Sequence, residues 1–286
     1  MPRVARVIAG CAVVLGAVAA CAPVTTVAQP APVVLRADVA VAKAAPPTAV
    51  PPRVDLTGLP VIDPLHVVGG LPGLDGTAQL RASDGTWRTA VVGRDTAALT
   101  APGGDPVGVL PAQTLGLPTV VPVLDERDGW LRVLVATRGA LPRDDRSEVN
   151  GHSVWVRTAD TRASSTAWSV HVDTAALTLT VDDGTRVRTF HVRAVGASDR
   201  PTPRTVAYLL GARWLEPGTS TPRVLPLSIQ SDSIDHWDKP TGTAVTAIHT
   251  TTSLRHGHVS NGCIRITDDV MDVLWRAPAG TLVTIV

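Results

Sequence analysis

Short apolar runs broken by turn signals fill this chain from about residue 70 to its end. Asp84-Gly85, Pro102-Gly103-Gly104, Asp128-Gly129 and Asp183-Gly184 each interrupt aliphatic or β-branched stretches. Punctuation at this spacing predicts a mainly β protein. Trp168–Asp173 and Ala176–Val192 read as two strands and a hairpin that turns at Asp183-Gly184. One segment changes period. In Thr267–Arg276, Val270 and Leu274 with Met271 and Trp275 fall on one face of a short helix, with Thr267 as its N-cap and Asp268 and Asp269 at the positive end of its dipole. Pro278 and Gly280 end that helix, and residues 281–286 return as a strand.

The N-terminus follows a different pattern. Arg3 and Arg6 precede the uncharged run Val7–Ala20, a positive n-region and short apolar h-region that predict export. The run ends in Val18-Ala19-Ala20-Cys21, which resembles a bacterial lipobox; Ile8-Ala9-Gly10-Cys11 lies too early to leave an h-region before it. Lipidation of Cys21 would hold the mature protein on the outer face of the cytoplasmic membrane. The alternative is cleavage at an Ala-x-Ala site, with Cys21 left in a tail. From Ala22 to Pro64 the chain is rich in Ala, Val and Pro and keeps no period, so it reads as an extended tether after a signal peptide of residues 1–21.

Composition trims the functional classes. Of 286 residues, 44% are hydrophobic and 18% charged, which suits a folded core, and a net charge of +1 argues against nucleic acid as a partner. No apolar run beyond the N-terminus is long enough for a membrane span. The chain has three Cys. Cys11 leaves with the signal peptide and Cys21 is the lipidation candidate. Cys263 therefore stands in an oxidising compartment with no disulfide partner, either inert and buried or reactive.

Residues 88–160 contain Thr119–Val135 and Ser153–Val156, with Gly129-Trp130-Leu131 and Val154-Trp155-Val156 as strands. They resemble a small bacterial Src-homology-three (SH3)-like β-barrel. Trp130 and Trp155 are expected to pack in its core.

The densest chemistry lies in residues 247–265, which carry His249, Thr250, His256, His258 and then Ser260-Asn261-Gly262-Cys263-Ile264-Arg265. Asn-Gly before the Cys tolerates the left-handed backbone of a tight turn. A Cys leaving such a turn presents its sulfur outward, and the amides of Asn261, Gly262 and Cys263 can converge as an oxyanion hole. A thiol is mostly protonated at neutral pH and needs a base or cation beside it; three histidines lie close upstream. His256-x-His258 has metal-like spacing but no evident third ligand, so no metal site is assigned. His171 and His191 fall in strand patterns and are assigned nothing.

This segment resembles the YkuD-type L,D-transpeptidase catalytic domain. The resemblance rests on Ile248-His249-Thr250, Ser260-Asn261-Gly262-Cys263-Ile264-Arg265, the helix after it, the closing Gly280–Ile285 strand and an upstream Gly196…Pro201-Thr202-Pro203 signature. It covers about residues 167–286. It implies that Cys263 is the nucleophile, His249 the general base, and the carbonyl of Thr250 the group that fixes the His249 tautomer. Arg265 and Ser260 would bind substrate, and Trp237 would roof the cleft. Asn261 replaces a frequent His or Lys, the loop before Cys263 is short, and Pro203-Arg204 stands where Pro-Gly is usual. The short loop leaves His256 or His258 open as the base.

The fold expected is thus an SH3-like barrel followed by a β-rich YkuD-like domain with one short helix. The function implied is cross-linking of peptidoglycan stem peptides through a Cys acyl-enzyme, with a donor tetrapeptide, an acceptor amine and loss of D-Ala. No cofactor is implied and a monomer is expected. The alternatives are an L,D-carboxypeptidase, in which water takes the acceptor's place, and a non-catalytic wall-binding lipoprotein.

Overall fold

The computed structural model describes residues 54–74, 84–215, 221–236 and 244–286, all within one compact unit, Pro52–Val286. The signal peptide, Cys21, most of the tether and Trp237 lie outside the described residues.

Strands are numbered in chain order. Seven form an antiparallel sheet ordered β3 (Pro106–Leu110), β2 (Thr96–Leu99), β8 (Ser153–Arg157), β7 (Trp130–Leu134), β6 (Val120–Arg127), β1 (Trp87–Val92) and β9 (Thr161–Thr166). A small ladder pairs β4 (Gln113–Thr114) with β5 (Leu117–Pro118). Trp155 is buried among Ala97 and Leu99, with Trp130, Val54 and Leu56 packed beside it. The guanidinium groups of Arg127 and Arg157 stack over Trp155 and Trp130 at 5.6 and 5.5 Å.

Two boundaries differ from those read in the sequence. The tether expected to run to Pro64 ends earlier, because the chain from residue 54 is docked on this sheet. Ile62 is 1% exposed and donates its N–H to the Val109 carbonyl, while Val109 donates to Pro60. Val68 and Leu71 enter the same core. Prolines conceal this segment's role, since they erase periodicity without preventing edge pairing. The sheet also continues past residue 160 through β9, which pairs along the whole of β1.

The second half of the unit is built from two sheets. One is ordered β12 (Val187–His191), β11 (Thr178–Asp182), β10 (Ser169–Asp173), β20 (Leu282–Ile285) and β14 (Val206–Tyr208). The other is ordered β15 (Arg213–Trp214), β16 (Arg223–Gln230), β17 (Val245–Thr250), β19 (Ile264–Ile266), β13 (Ala194–Gly196) and β18 (Gly257–Ser260). Val170, Val172, Leu179 and Val181 of the first pack with Leu225, Leu227, Ile248, Ile264 and Ile266 of the second. The expected hairpin is present, with Gly184 at φ +82° in its turn. Strand β20 joins β10 in parallel, bringing the C-terminus beside the start of the domain.

The helix α1 (Asp268–Leu274) buries Val270, Met271 and Leu274. Thr267 occupies the N-cap, but its side chain makes no cap hydrogen bond. Its hydroxyl bonds instead to Asp269, which holds that carboxyl below its ordinary range. Trp275, beyond the helix, meets Trp214 edge-on at 5.4 Å. The two halves share apolar contacts: Tyr208, Leu210 and Leu282 belong to the core of the seven-stranded sheet.

Candidate active site

Parallel pairing of β17 with β19 sets the site. Ile248 lies opposite Ile264 and His249 opposite Arg265. Side chains alternate along strands, so Ile248 and Ile264 face the core while His249 and Arg265 face away. Ala247 and Cys263, two residues before His249 and Arg265, continue that outward row. Burial agrees: Ile248 and Ile264 are 0% exposed, whereas Ala247, His249, Cys263 and Arg265 line one cavity of about 390 Å³. Leu215, Ile234 and Ala244 supply apolar wall.

His249 is buried, and its Nδ1 lies 2.7 Å from the carbonyl oxygen of Thr250. A carbonyl only accepts, so Nδ1 carries the proton and Nε2 keeps its lone pair. Burial pushes the His249 pKa down, the Thr250 bond opposes this, and the Arg265 charge adds to the lowering. Burial also pushes the Cys263 thiol up, against a backbone hydrogen bond from Ala247 and the field of Arg265. Both shifts favour the neutral forms, an imidazole and a thiol lining the same cavity. Arg265 is the cation that can stabilise charge appearing on sulfur, and its Nε is buried without a hydrogen-bond partner.

The turn into Cys263 is braced from two sides. Ser260 Oγ donates to the Cys263 carbonyl (2.6 Å) and accepts from the Gly262 N–H (3.2 Å). Thr202 Oγ1 donates to the Gly262 carbonyl (2.8 Å) and accepts from the Gly196 N–H (2.9 Å). Gly262 has φ +107°, which a side chain would strain. At Gly196 a Cβ would lie 2.3 Å from the Thr202 nitrogen, so only glycine admits this clamp. The Gly196…Thr202 signature thereby acquires a physical role that the sequence did not disclose.

Several expected roles change in this geometry. The Gly262 amide, expected in the oxyanion hole, is turned toward Ser260 Oγ by the turn that positions the sulfur. Ser260 was expected to bind substrate; it lines the cavity, but its hydroxyl is engaged within the turn. The Asn261 side chain accepts a bond from Arg200. Ala247, which the sequence did not single out, directs its N–H at the sulfur because it is the neighbour of Cys263 across the strand pair. Of the three histidines, only His249 lines this cavity. His256 is exposed, and His258 borders a separate cavity of about 180 Å³ with Arg204 and Ser198. Among the described residues no group of His, Cys, Asp and Glu is placed to hold a metal ion. No described helix is long and apolar enough to cross a membrane.

Residues 167–285 match the family model of the YkuD L,D-transpeptidase catalytic domain. Similar solved structures include an L,D-transpeptidase from Mycobacterium smegmatis, at 13% identity over 55% of this chain and 90% of that one, with TM-score 0.33. The catalytic domain of the E. faecium L,D-transpeptidase is 18% identical over 42% of this chain and 96% of that one, with TM-score 0.31. L,D-transpeptidase 1 of Mycobacterium tuberculosis is 17% identical over 46% of this chain and 77% of that one, with TM-score 0.29. Among the curated proteins, none matches this chain.

Proposed function

We propose that the chain is an L,D-transpeptidase that acts on peptidoglycan stem peptides outside the cytoplasm. The observation that carries this reading is the cavity that Cys263 shares with His249, whose far nitrogen is held by Thr250. In the first half-reaction Cys263 Sγ attacks the carbonyl carbon after the third residue of a donor tetrapeptide. His249 Nε2 takes the thiol proton as the C–S bond forms and returns it to the departing D-Ala amine. Developing charge on sulfur and on the carbonyl oxygen meets Arg265 and nearby backbone N–H groups, with Ala247 directed at the sulfur. In the second half-reaction an acceptor side-chain amine attacks the thioester and yields its proton through His249. An amide forms, the C–S bond breaks and the thiol is restored.

Neutral resting partners fit this proton transfer, because the imidazole must arrive unprotonated to accept the thiol proton. Lipid attachment at Cys21 would place the reaction at the outer face of the membrane. The test is intact mass after exposure to a carbapenem, an acylating analogue of the donor, followed by a tetrapeptide assay with and without a diamino acceptor. A single adduct that vanishes in Cys263→Ala, together with a cross-linked product, supports the reading. Hydrolysis without cross-linking when acceptor is present assigns the carboxypeptidase instead. An adduct retained by Cys263→Ala overturns the role of the thiol.

A further inference from the structure

One wall of the cavity is secured by the other half of the molecule. Ile234, a lining residue, lies on the connection that leaves β16, and Ser231 at its start donates its N–H to the Ala244 carbonyl (2.9 Å). Arg138, which follows β7 of the seven-stranded sheet, reaches across to this connection. Its Nη1 donates to the Asp235 carbonyl (2.6 Å), and its Nη2 to the carbonyls of Ile234 (2.8 Å) and Ser231 (3.1 Å). The residue is 1% exposed. Two neighbours repeat the attachment. Asn150 makes a reciprocal pair with the Gln230 backbone, both bonds 2.8 Å, and the Arg143 N–H donates to the Asp235 carboxylate (3.1 Å).

Filling a core does not call for a guanidinium. Burying a cation is costly unless its donors are used, and an apolar side chain of similar volume often packs as well or better. A planar fork does what such a side chain cannot: it fixes several carbonyls in one relative geometry. Here one of those carbonyls belongs to Ile234, which lines the cavity, and the other two to Ser231 and Asp235 of the same connection. Arg138 is itself held, since its carbonyl accepts from the Val68 N–H (2.7 Å). At Gly139 a Cβ would lie 2.6 Å from His152 Nε2 and 2.7 Å from the Glu148 carbonyl oxygen, so the position after Arg138 admits only glycine.

We propose that Arg138 is a positioning residue for the Cys263 cavity: by fixing residues 231–235 it sets the wall at Ile234, so that the N-terminal sheet determines how an acyl donor seats. The inference rests on the reading of Cys263 as the acylated thiol. The experiment compares full-length wild type, Arg138→Met, Arg138→Lys and Asn150→Ala. Carbapenem acylation is followed by intact mass, Cys263 alkylation by iodoacetamide, and backbone opening by hydrogen exchange. For Arg138→Met we expect acylation to slow about tenfold or more while alkylation stays within about twofold, because a displaced wall disturbs seating rather than the thiol. Exchange at residues 231–236 should quicken, lysine should restore part of the rate, and Asn150→Ala should shift it less in the same direction. If Arg138→Met does not fold, Asn150→Ala decides by the same ratio of acylation to alkylation. Unchanged acylation despite faster exchange overturns the positioning role, as does an equal fall in both reactions. A wild type that forms no carbapenem adduct overturns the functional reading, and this inference with it.

Discussion

The two faces of the β17–β19 pair share a backbone and differ in what they ask of side chains. On the inner face Ile248 and Ile264 are fully buried against the opposite sheet, and such residues contribute by area and fit. On the outer face, one residue along, stand His249 and Arg265. There, burial without full pairing shifts both the imidazole and the thiol toward their neutral forms. Adjacent positions in one strand thus hold stability and reactivity apart. Alternation separates them at no cost in backbone geometry.

The sharpest way to break this comparison is His249→Gln. It should lower carbapenem acylation by about 10²–10⁴-fold, the usual worth of a general base, while the melting temperature barely moves. A loss of stability in proportion would show that the outer face is structural. The counterpart on the inner face is Ile264→Ala, expected to cost about 2–5 kcal/mol of folding stability in a denaturant titration. Acylation by the fraction still folded should stay near the wild-type rate. Thr202→Val tests the seam between the faces. Loss of its hydroxyl leaves the Gly196 N–H and the Gly262 carbonyl unpaired, at about 1–3 kcal/mol, and loosens the turn into Cys263. Stability and acylation should therefore both fall, which neither of the other variants produces.

The smallest and most diagnostic effect is on pH dependence. The acting base must be neutral, so acylation fails only as pH drops through the His249 pKa. Burial lowers that pKa, and the acid limb should sit below the ordinary imidazole range. The thiol is pushed upward, so iodoacetamide alkylation should climb only at alkaline pH. Rapid alkylation extending into the acid range would reveal a resting thiolate–imidazolium pair and contradict this picture.

Much of the fold was legible because alternation and turn residues are local signals. The hairpin at Asp183-Gly184, the helix after Cys263 and the closing strand all lie near their expected places. The docked segment at 54–74 was not legible, since its prolines hide a strand-like attachment that depends on β3 as partner. The site divided in the same way. Cys263 could be singled out from residue type and spacing, whereas His249 and Arg265 were named through the resemblance of their motifs to a known family. Ala247, Thr202 and Arg138 could not be named either way, because their contacts reach residues far off in the chain or across a strand pair.

Sequence alone determined the chemistry on offer: a thiol at Cys263, histidines upstream, a glycine turn and an arginine just beyond. Tertiary structure decided which of these meet. The register of β17 against β19 selected His249 over His256 and His258 for the cavity, and the Ser260 and Thr202 bonds set the path of the turn. The physical reason is that reactivity depends on burial, on which carbonyl or amide lies within hydrogen-bond reach, and on field direction. Those quantities arise only when distant segments pack.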